Sequence, residues 1–118
     1  MKSNLKQSFL AAFQILDEVF DDTRNEQLGN LLSEMNPYLF ADLMSADPAI
    51  WNEWIDCAKK INKDEVYSSD EVFETLNIFL ELNSEQYYYD MDLLLCLIND
   101  KITNGRWERI FKKALTIS

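Results

Sequence analysis

The chain has 118 residues, of which 47% are hydrophobic, and its formal net charge is −10. This length corresponds to one domain, 1–118, with enough apolar surface to form a core without disulfides or metals. Two glycines and two prolines are too few for the many tight turns of an all-β fold. The composition therefore predicts a single, compact, all-α domain.

The acidic residues are concentrated in one part of the chain. Residues 64–100 contain ten Asp or Glu and no Lys or Arg, whereas residues 101–118 contain five bases and one acid. A field of one sign repels nucleic acid and anionic membranes and attracts basic proteins. We therefore expect a basic protein partner, and neither nucleic acid nor a membrane. The alternative is that the acidic surplus serves solubility alone.

Hydrophobic periodicity and helix-capping signals predict a bundle of five to seven helices. Most of the predicted helices begin at an Asn, Asp, Ser or Thr that can cap the first turn. The predicted segments, in chain order, are 4–21, 23–36, 38–44, 48–60, 68–82, 84–100 and a last helix after Asn104 and Gly105.

Residues 84–100, SEQYYYDMDLLLCLIND, are predicted to form the central helix, with Asn83-Ser84 as its cap. Leu93–Ile98 are six consecutive apolar residues, and a helix that is apolar all round must be surrounded by protein. The consecutive tyrosines Tyr87–Tyr89 point about 100° apart and cannot all face one core. We therefore expect this helix to be buried at one end and to expose at least one tyrosine at the other.

Two sets of residues are candidates for a partner-binding surface, because interfaces are often centred on aromatic side chains with charged neighbours. One set lies in the tyrosine-rich half of the predicted central helix, and the other lies at the start of the preceding helix. The candidates are Glu85, Tyr88, Tyr89, Asp90 and Asp92 in the first set, and Asp70, Glu71 and Glu74 in the second. The alternative for the tyrosines is partial burial, and for the second set it is interaction with the helix dipole.

Aromatic and basic residues elsewhere have structural interpretations. Trp51, Trp54 and Tyr38 are expected in the core, because tryptophan at helical spacing usually faces inward. The bases of the last helix, among them Arg106 and Arg109, are expected to pair with acids of the same fold or with another subunit, as in a homo-oligomer.

The residue types of common catalytic and metal sites are missing. The chain has no histidine, which removes the usual general base and the commonest metal ligand. Asp90 and Asp92 resemble the start of a calcium loop, but Leu95 and Lys101 occupy the positions of its glycine and glutamate. We therefore predict a non-enzymatic protein with no catalytic residue, cofactor or metal. A carboxylate-based hydrolase is the alternative from the enzyme class.

The two cysteines, Cys57 and Cys96, each lie in an apolar helical stretch. This position predicts buried free thiols and a reducing, cytoplasmic environment. No uncharged apolar run approaches the roughly 20 residues that are needed to span a bilayer.

Two short segments carry a resemblance to known proteins. They are Asn36-Pro-Tyr-Leu-Phe and Ser45-Ala-Asp-Pro-Ala-Ile-Trp-Asn-Glu-Trp. These segments resemble parts of small, acidic, all-helical bacterial proteins of unknown function, some of which are immunity proteins of polymorphic toxins. The resemblance implies no catalytic or other family site residue. It implies an immunity-type inhibitor that covers a basic surface of a toxin; the alternative is a self-associating structural or regulatory adaptor.

Overall fold

The computed structural model describes residues 1–37 and 47–117, and within these ranges the chain forms six α-helices. Their bounds are α1 (Leu5–Thr23), α2 (Glu26–Met35), α3 (Pro48–Ile61), α4 (Ser69–Tyr87), α5 (Met91–Thr103) and α6 (Arg106–Ala114). The prediction of a compact all-α domain is confirmed. The predicted helix at 38–44, with Tyr38, lies outside the described residues.

An isolated antiparallel bridge joins Ser3 to Tyr67, with backbone hydrogen bonds of 2.7 and 2.9 Å. Apart from this bridge, the described ranges contain no β-structure. None of the six helices has both the length and the hydrophobicity to cross a bilayer.

The central helix is α1, because it contacts each of the other five helices. Phe9, Ile15 and Leu16 are fully buried in it, as are Ala11 and Ala12. The two alanines have only a methyl group, so neighbouring helices can approach the axis of α1 closely. The predicted amphipathic helix at the N-terminus is therefore confirmed, but in the structure it is apolar on most of its circumference.

Aromatic side chains of α1, α3 and α4 meet at the centre of the core. The ring centroid of Phe9 lies 5.4 Å from Trp51 and 5.7 Å from Trp54, and Trp54 lies 5.4 Å from Phe79. All three contacts are edge-to-face, an arrangement that aromatic rings favour. The buried indole of Trp54 also donates a hydrogen bond of 3.1 Å to the hydroxyl of Ser8. The expected core position is confirmed for Trp54, whereas Trp51 is half-buried.

The prediction that residues 84–100 form a single central helix is wrong. The structure has two helices here, because α4 ends at Tyr87 and α5 begins at Met91. Tyr88 takes a left-handed conformation (φ 60°, ψ 29°), which ends α4 and turns the chain. Asp90 then caps α5, since its side chain accepts a hydrogen bond of 3.1 Å from a backbone amide of the first turn.

Two predicted N-caps are also wrong. Asn83 lies inside α4, where its side-chain amide donates a hydrogen bond of 3.0 Å to the carbonyl of Phe79. An asparagine that is satisfied by the preceding turn does not need to end a helix. Thr23 is the last residue of α1, and Asn25 caps α2 by accepting a hydrogen bond of 2.9 Å from the amide of Leu28.

The other helix boundaries agree with the capping signals. Asp47 caps α3 with Pro48 at the first helical position. Ser68 and Glu71 form the predicted capping box at α4, with reciprocal hydrogen bonds of 3.2 and 2.9 Å. Gly105 has a positive φ of 83°, a conformation that glycine adopts without strain, and it forms the predicted turn before α6.

The apolar run in α5 is not surrounded by protein, contrary to the sequence-based expectation. Leu94 and Ile98 are buried, but Leu93 is 53% exposed and Cys96 is also exposed. These residues are exposed because α5 packs against α1, α4 and α6 on one side, so its opposite side faces solvent. The prediction of a buried free thiol is confirmed for Cys57 and wrong for Cys96.

α6 packs antiparallel along α1. At one end, the side-chain amide of Gln7 donates hydrogen bonds to the backbone carbonyls of Leu115 (3.3 Å) and Ile117 (2.8 Å). At the other end, Arg106 forms an ion pair with Glu18. The expectation that the basic C-terminal helix pairs with acids of the same fold is therefore confirmed for Arg106.

Candidate functional site

Tyr88 is the most exposed aromatic residue in the described part of the chain, with 83% of its surface accessible. Its positive φ is unusual for a bulky residue and costs about 1–3 kcal/mol. The strained turn is held by a hydrogen bond of 2.9 Å from the Tyr88 amide to the carbonyl of Ser84. The fold therefore directs an aromatic side chain into solvent at a position where glycine would be more stable.

The tyrosines on either side of Tyr88 are buried and hydrogen-bonded. Tyr87 and Tyr89 are each 7% exposed. The phenol of Tyr87 donates to Glu34 on α2, and the phenol of Tyr89 donates to the carbonyl of Leu80. Burial raises the pKa of both phenols well above the ordinary value, and for Tyr87 the hydrogen bond to Glu34 adds to this effect.

The prediction that at least one of the three tyrosines is exposed is therefore confirmed by Tyr88. The assignment of Tyr89 to the partner-binding surface is wrong, because its ring lies in the core and its hydroxyl is already bonded. The left-handed conformation of Tyr88 breaks the helical geometry between α4 and α5, and the residue that follows it, Tyr89, is buried.

A groove of about 590 Å³ lies beside Tyr88, between α2 and the last turn of α4. We call it the Tyr88 groove. Its lining residues are polar or aromatic: Glu26, Gln27, Asn30, Ser33, Glu34, Gln86, Tyr87 and Tyr88. The charged residues of this lining, Glu26 and Glu34, are both acids. The sequence contains six acids and no base over residues 25–58, which include α2, and ten acids and no base over residues 64–100, which include α4. Both helices therefore contribute negative charge only.

The first set of candidate acids lies next to this groove in the chain. Glu85 is on the last turns of α4, and Asp90 and Asp92 are at the start of α5; all three are exposed. Asp90 has a structural role as well, since it caps α5. These exposed acids lie within four positions of Tyr88 in the chain, and we call the four residues together the acidic corner.

The second set lies elsewhere. Asp70 and Glu85 are 15 positions apart on α4 (85 − 70), which separates them by about 22 Å along the helix axis. Asp70 and Glu74 are exposed. Glu71 is engaged in the capping box and accepts a further hydrogen bond of 3.3 Å from Asn62. A backbone hydrogen bond is the main cause that lowers the pKa of Glu71, so its carboxylate is structural and not free for a partner.

Sequence reasoning missed Glu26 and Glu34 on α2 and the exposed Leu93 on α5. The absence of bases from residues 25–58 is a signal that could have indicated α2. No such signal exists for Leu93, because its exposure depends on where α5 packs in the fold.

The described ranges contain no group of three or more Cys, Asp or Glu placed to hold a metal ion. Burial, together with the nearby charge of Asp21, raises the pKa of Asp17, while Arg24 opposes this shift. The prediction that the protein is not an enzyme stays a prediction.

Comparison with protein-family models, with curated proteins and with solved structures gives no match for this chain. The resemblance to small, acidic, helical bacterial proteins therefore stays a prediction. The fold class is an all-α bundle, and any function must be argued from the surface of this molecule.

Proposed function

We propose that this chain is a non-enzymatic cytoplasmic protein that binds a basic protein through its acidic corner. The most concrete form of the proposal is an immunity-type inhibitor that occludes the basic surface of a toxin. The observation that supports it is Tyr88, which is 83% exposed in a strained left-handed conformation. All charged side chains that flank it in the groove and along the adjoining turns are acids.

Each part of the acidic corner has a defined role in this proposal. Glu85, Asp90 and Asp92 attract a basic surface and accelerate the encounter. The ring of Tyr88 fills an apolar pocket between the partner's Lys or Arg residues, and its hydroxyl hydrogen-bonds at the rim. Because the turn already fixes the backbone at Tyr88, little backbone entropy is lost there on binding.

The contact must extend beyond Tyr88. A standard interface buries about 800 Å² on each partner, whereas the accessible surface of this structure is 6491 Å². About one eighth of the surface is thus involved, so the partner also covers the Tyr88 groove on α2 and the first turn of α5. Occlusion of the partner's basic surface then follows from this coverage and needs no chemistry.

The proposal is tested by affinity capture from a lysate of the source cell at low and at high salt. Retained proteins are identified by mass spectrometry, and the purified pair is measured by isothermal titration calorimetry. The test variant combines Tyr88→Ala with Glu85→Gln and Asp92→Asn. The matched control combines Asp70→Asn with Glu74→Gln, which removes the same number of charges at the other end of α4.

We expect a basic partner whose affinity falls as salt rises. The test variant should weaken binding by at least roughly a hundredfold, and the control by no more than about threefold. Equal weakening by both variants would show that net charge, and not the acidic corner, determines binding. An unchanged affinity in the test variant would disprove the assignment of this surface.

A further inference from the structure

A second groove, of about 340 Å³, lies between α1 and α6. Ligand sites for small molecules usually have volumes of about 300–1,000 Å³. This α1–α6 groove has no lining residue in common with the Tyr88 groove. Its properties are therefore independent of the proposed protein interface.

The α1–α6 groove is positively charged in a protein that is strongly negative overall. Arg106, Arg109 and Lys113 line it together with one acid, Glu18, which gives three positive charges against one negative. Arg106 is paired with Glu18. Arg109 and Lys113 are exposed, and no carboxylate of the described residues lies within 4.0 Å of either. Two cations are therefore available to bind an anion.

The remainder of the lining is mainly apolar. Leu10 of α1 and Ala114 of α6 are buried, Ile110 is half-buried, and Ile117 is 37% exposed. The apolar surface that is still accessible belongs mainly to Ile110 and Ile117, and a ligand that covered it would remove it from water. Inorganic anions have no group that uses this surface, whereas an organic anion with an aliphatic branch does.

Glu18 holds one of the three cations, and its second oxygen is out of reach of a ligand. One of its carboxylate oxygens accepts a hydrogen bond from Arg106. The other, Oε2, has no accessible surface. A ligand in the groove is therefore recognised by Arg109, Lys113 and the apolar lining.

We propose that the α1–α6 groove binds a small carboxylate that carries a branched aliphatic side chain. Arg109 and Lys113 bind the carboxylate. The aliphatic branch packs against Ile110 and the neighbouring apolar side chains. Binding involves no covalent step.

The test uses N-acetyl-leucine, which has both the carboxylate and the branch, and two probes that each lack one of them. N-acetyl-leucinamide lacks the carboxylate, and N-acetylglycine lacks the branch. Each is titrated into the protein, and binding is followed by amide chemical shifts in two-dimensional NMR spectra. We expect saturable shifts for N-acetyl-leucine on α6 and the facing side of α1. N-acetyl-leucinamide should bind at least roughly tenfold more weakly, and N-acetylglycine roughly threefold more weakly.

Two variants locate the site. Arg109→Gln combined with Lys113→Gln should weaken N-acetyl-leucine binding at least roughly tenfold. Lys112→Gln, a neighbour on α6 that does not line the groove, should change it by less than about twofold. The proposal is overturned if N-acetyl-leucine shows no saturation up to roughly 20 mM, if the amide binds equally well, or if the double variant binds normally. Equal binding of N-acetylglycine would overturn the role given to the apolar lining.

Discussion

The phenol of Tyr87 donates a hydrogen bond to a carboxylate oxygen of Glu34, which joins the last turn of α4 to α2. Both residues line the Tyr88 groove. The bond therefore determines the position of one wall of the groove relative to the other. Because Tyr87 directly precedes Tyr88 in the chain, the bond also restrains the start of the turn that exposes Tyr88.

Replacement of Tyr87 by phenylalanine should destabilise the fold. The ring stays in place, but Glu34 loses a donor, and hydrogen bonds to charged groups contribute about 1.5–3 kcal/mol. We expect the free energy of unfolding, measured by urea denaturation, to fall by about 1–3 kcal/mol. Tyr88→Phe is the control, because its hydroxyl is on the exposed side chain. A loss as large in Tyr88→Phe as in Tyr87→Phe would contradict the role of the bond to Glu34.

Stability should decrease in alkaline solution. The pKa values of Tyr87 and Tyr89 are raised in the folded state above the ordinary value of 10.0. The unfolded chain therefore releases these protons first, so the free energy of unfolding is unaffected below about pH 10 and falls as pH rises further. Urea denaturation between about pH 8 and 11 measures this.

The matched variant for the alkaline experiment carries Tyr87→Phe and Tyr89→Phe. Its stability should fall less steeply above about pH 10. The dependence is reduced and not abolished, because burial also raises the pKa of Tyr67. A variant with the same slope as the original protein would show that other groups cause the alkaline loss.

Glycine at Tyr88 should stabilise the fold and impair binding. Tyr88 and Arg24 are both C-cap residues with positive φ, 60° and 53° respectively. Glycine adopts this conformation without strain. Each of the two single variants, Tyr88→Gly and Arg24→Gly, should therefore raise the free energy of unfolding by about 0.5–1 kcal/mol. The contacts that Arg24 loses are an exposed ion pair with Asp21 and a cation–π contact with Phe20, which are weak at a surface.

The two glycine variants separate stability from function. If Tyr88 contacts the proposed partner, only Tyr88→Gly should reduce the affinity. Thermal denaturation and calorimetric titration of the same samples measure both quantities. A destabilised Tyr88→Gly protein would contradict the argument from backbone strain.

The two thiols should react at different rates with a disulfide reagent. Cys96 is exposed on α5, whereas Cys57 is 1% exposed in the core, and burial raises its thiol pKa. Since the thiolate is the reactive form, we expect one rapid equivalent in the folded protein and a second only on unfolding. The Cys96→Ser variant should lose the rapid phase. Two rapid equivalents in the original protein would show that Cys57 is accessible.

The sequence predicts helices well where a capping residue and an apolar face agree. This holds for α3, which Asp47 and Pro48 begin, and for α4, which the capping box of Ser68 and Glu71 begins. Both signals are local, because the capping contacts lie within the first turn. They can therefore be recognised without knowledge of the rest of the fold.

The turn between α4 and α5 could not be predicted in the same way. Asp90 is an acid beside aromatic residues, a pattern that predicts an exposed surface, although Asp90 is also a helix cap. The end of α4 depends on the left-handed conformation of Tyr88, for which tyrosine gives no local signal. The exposure of Leu93 likewise depends on the outer position of α5.

The candidate site was predicted in part. Tyr88 and the acids around it could be proposed from one stretch of the chain. Glu34 could not, because it accepts a hydrogen bond from Tyr87, which lies 53 positions away in the sequence. A groove between two helices is a property of their packing. The side chains that line it from α2 therefore follow only from the tertiary structure.

The pairing of α1 with α6 has a consequence for synthesis of the protein. The contacts of Gln7 with Leu115 and Ile117 span 108 and 110 positions, so one side of the central helix is covered by residues that are made long after it. During translation this side of α1 stays uncovered until residues 106–117 have left the ribosome. The domain therefore cannot complete its fold before these residues emerge, and the nascent chain presents apolar surface to chaperones until then.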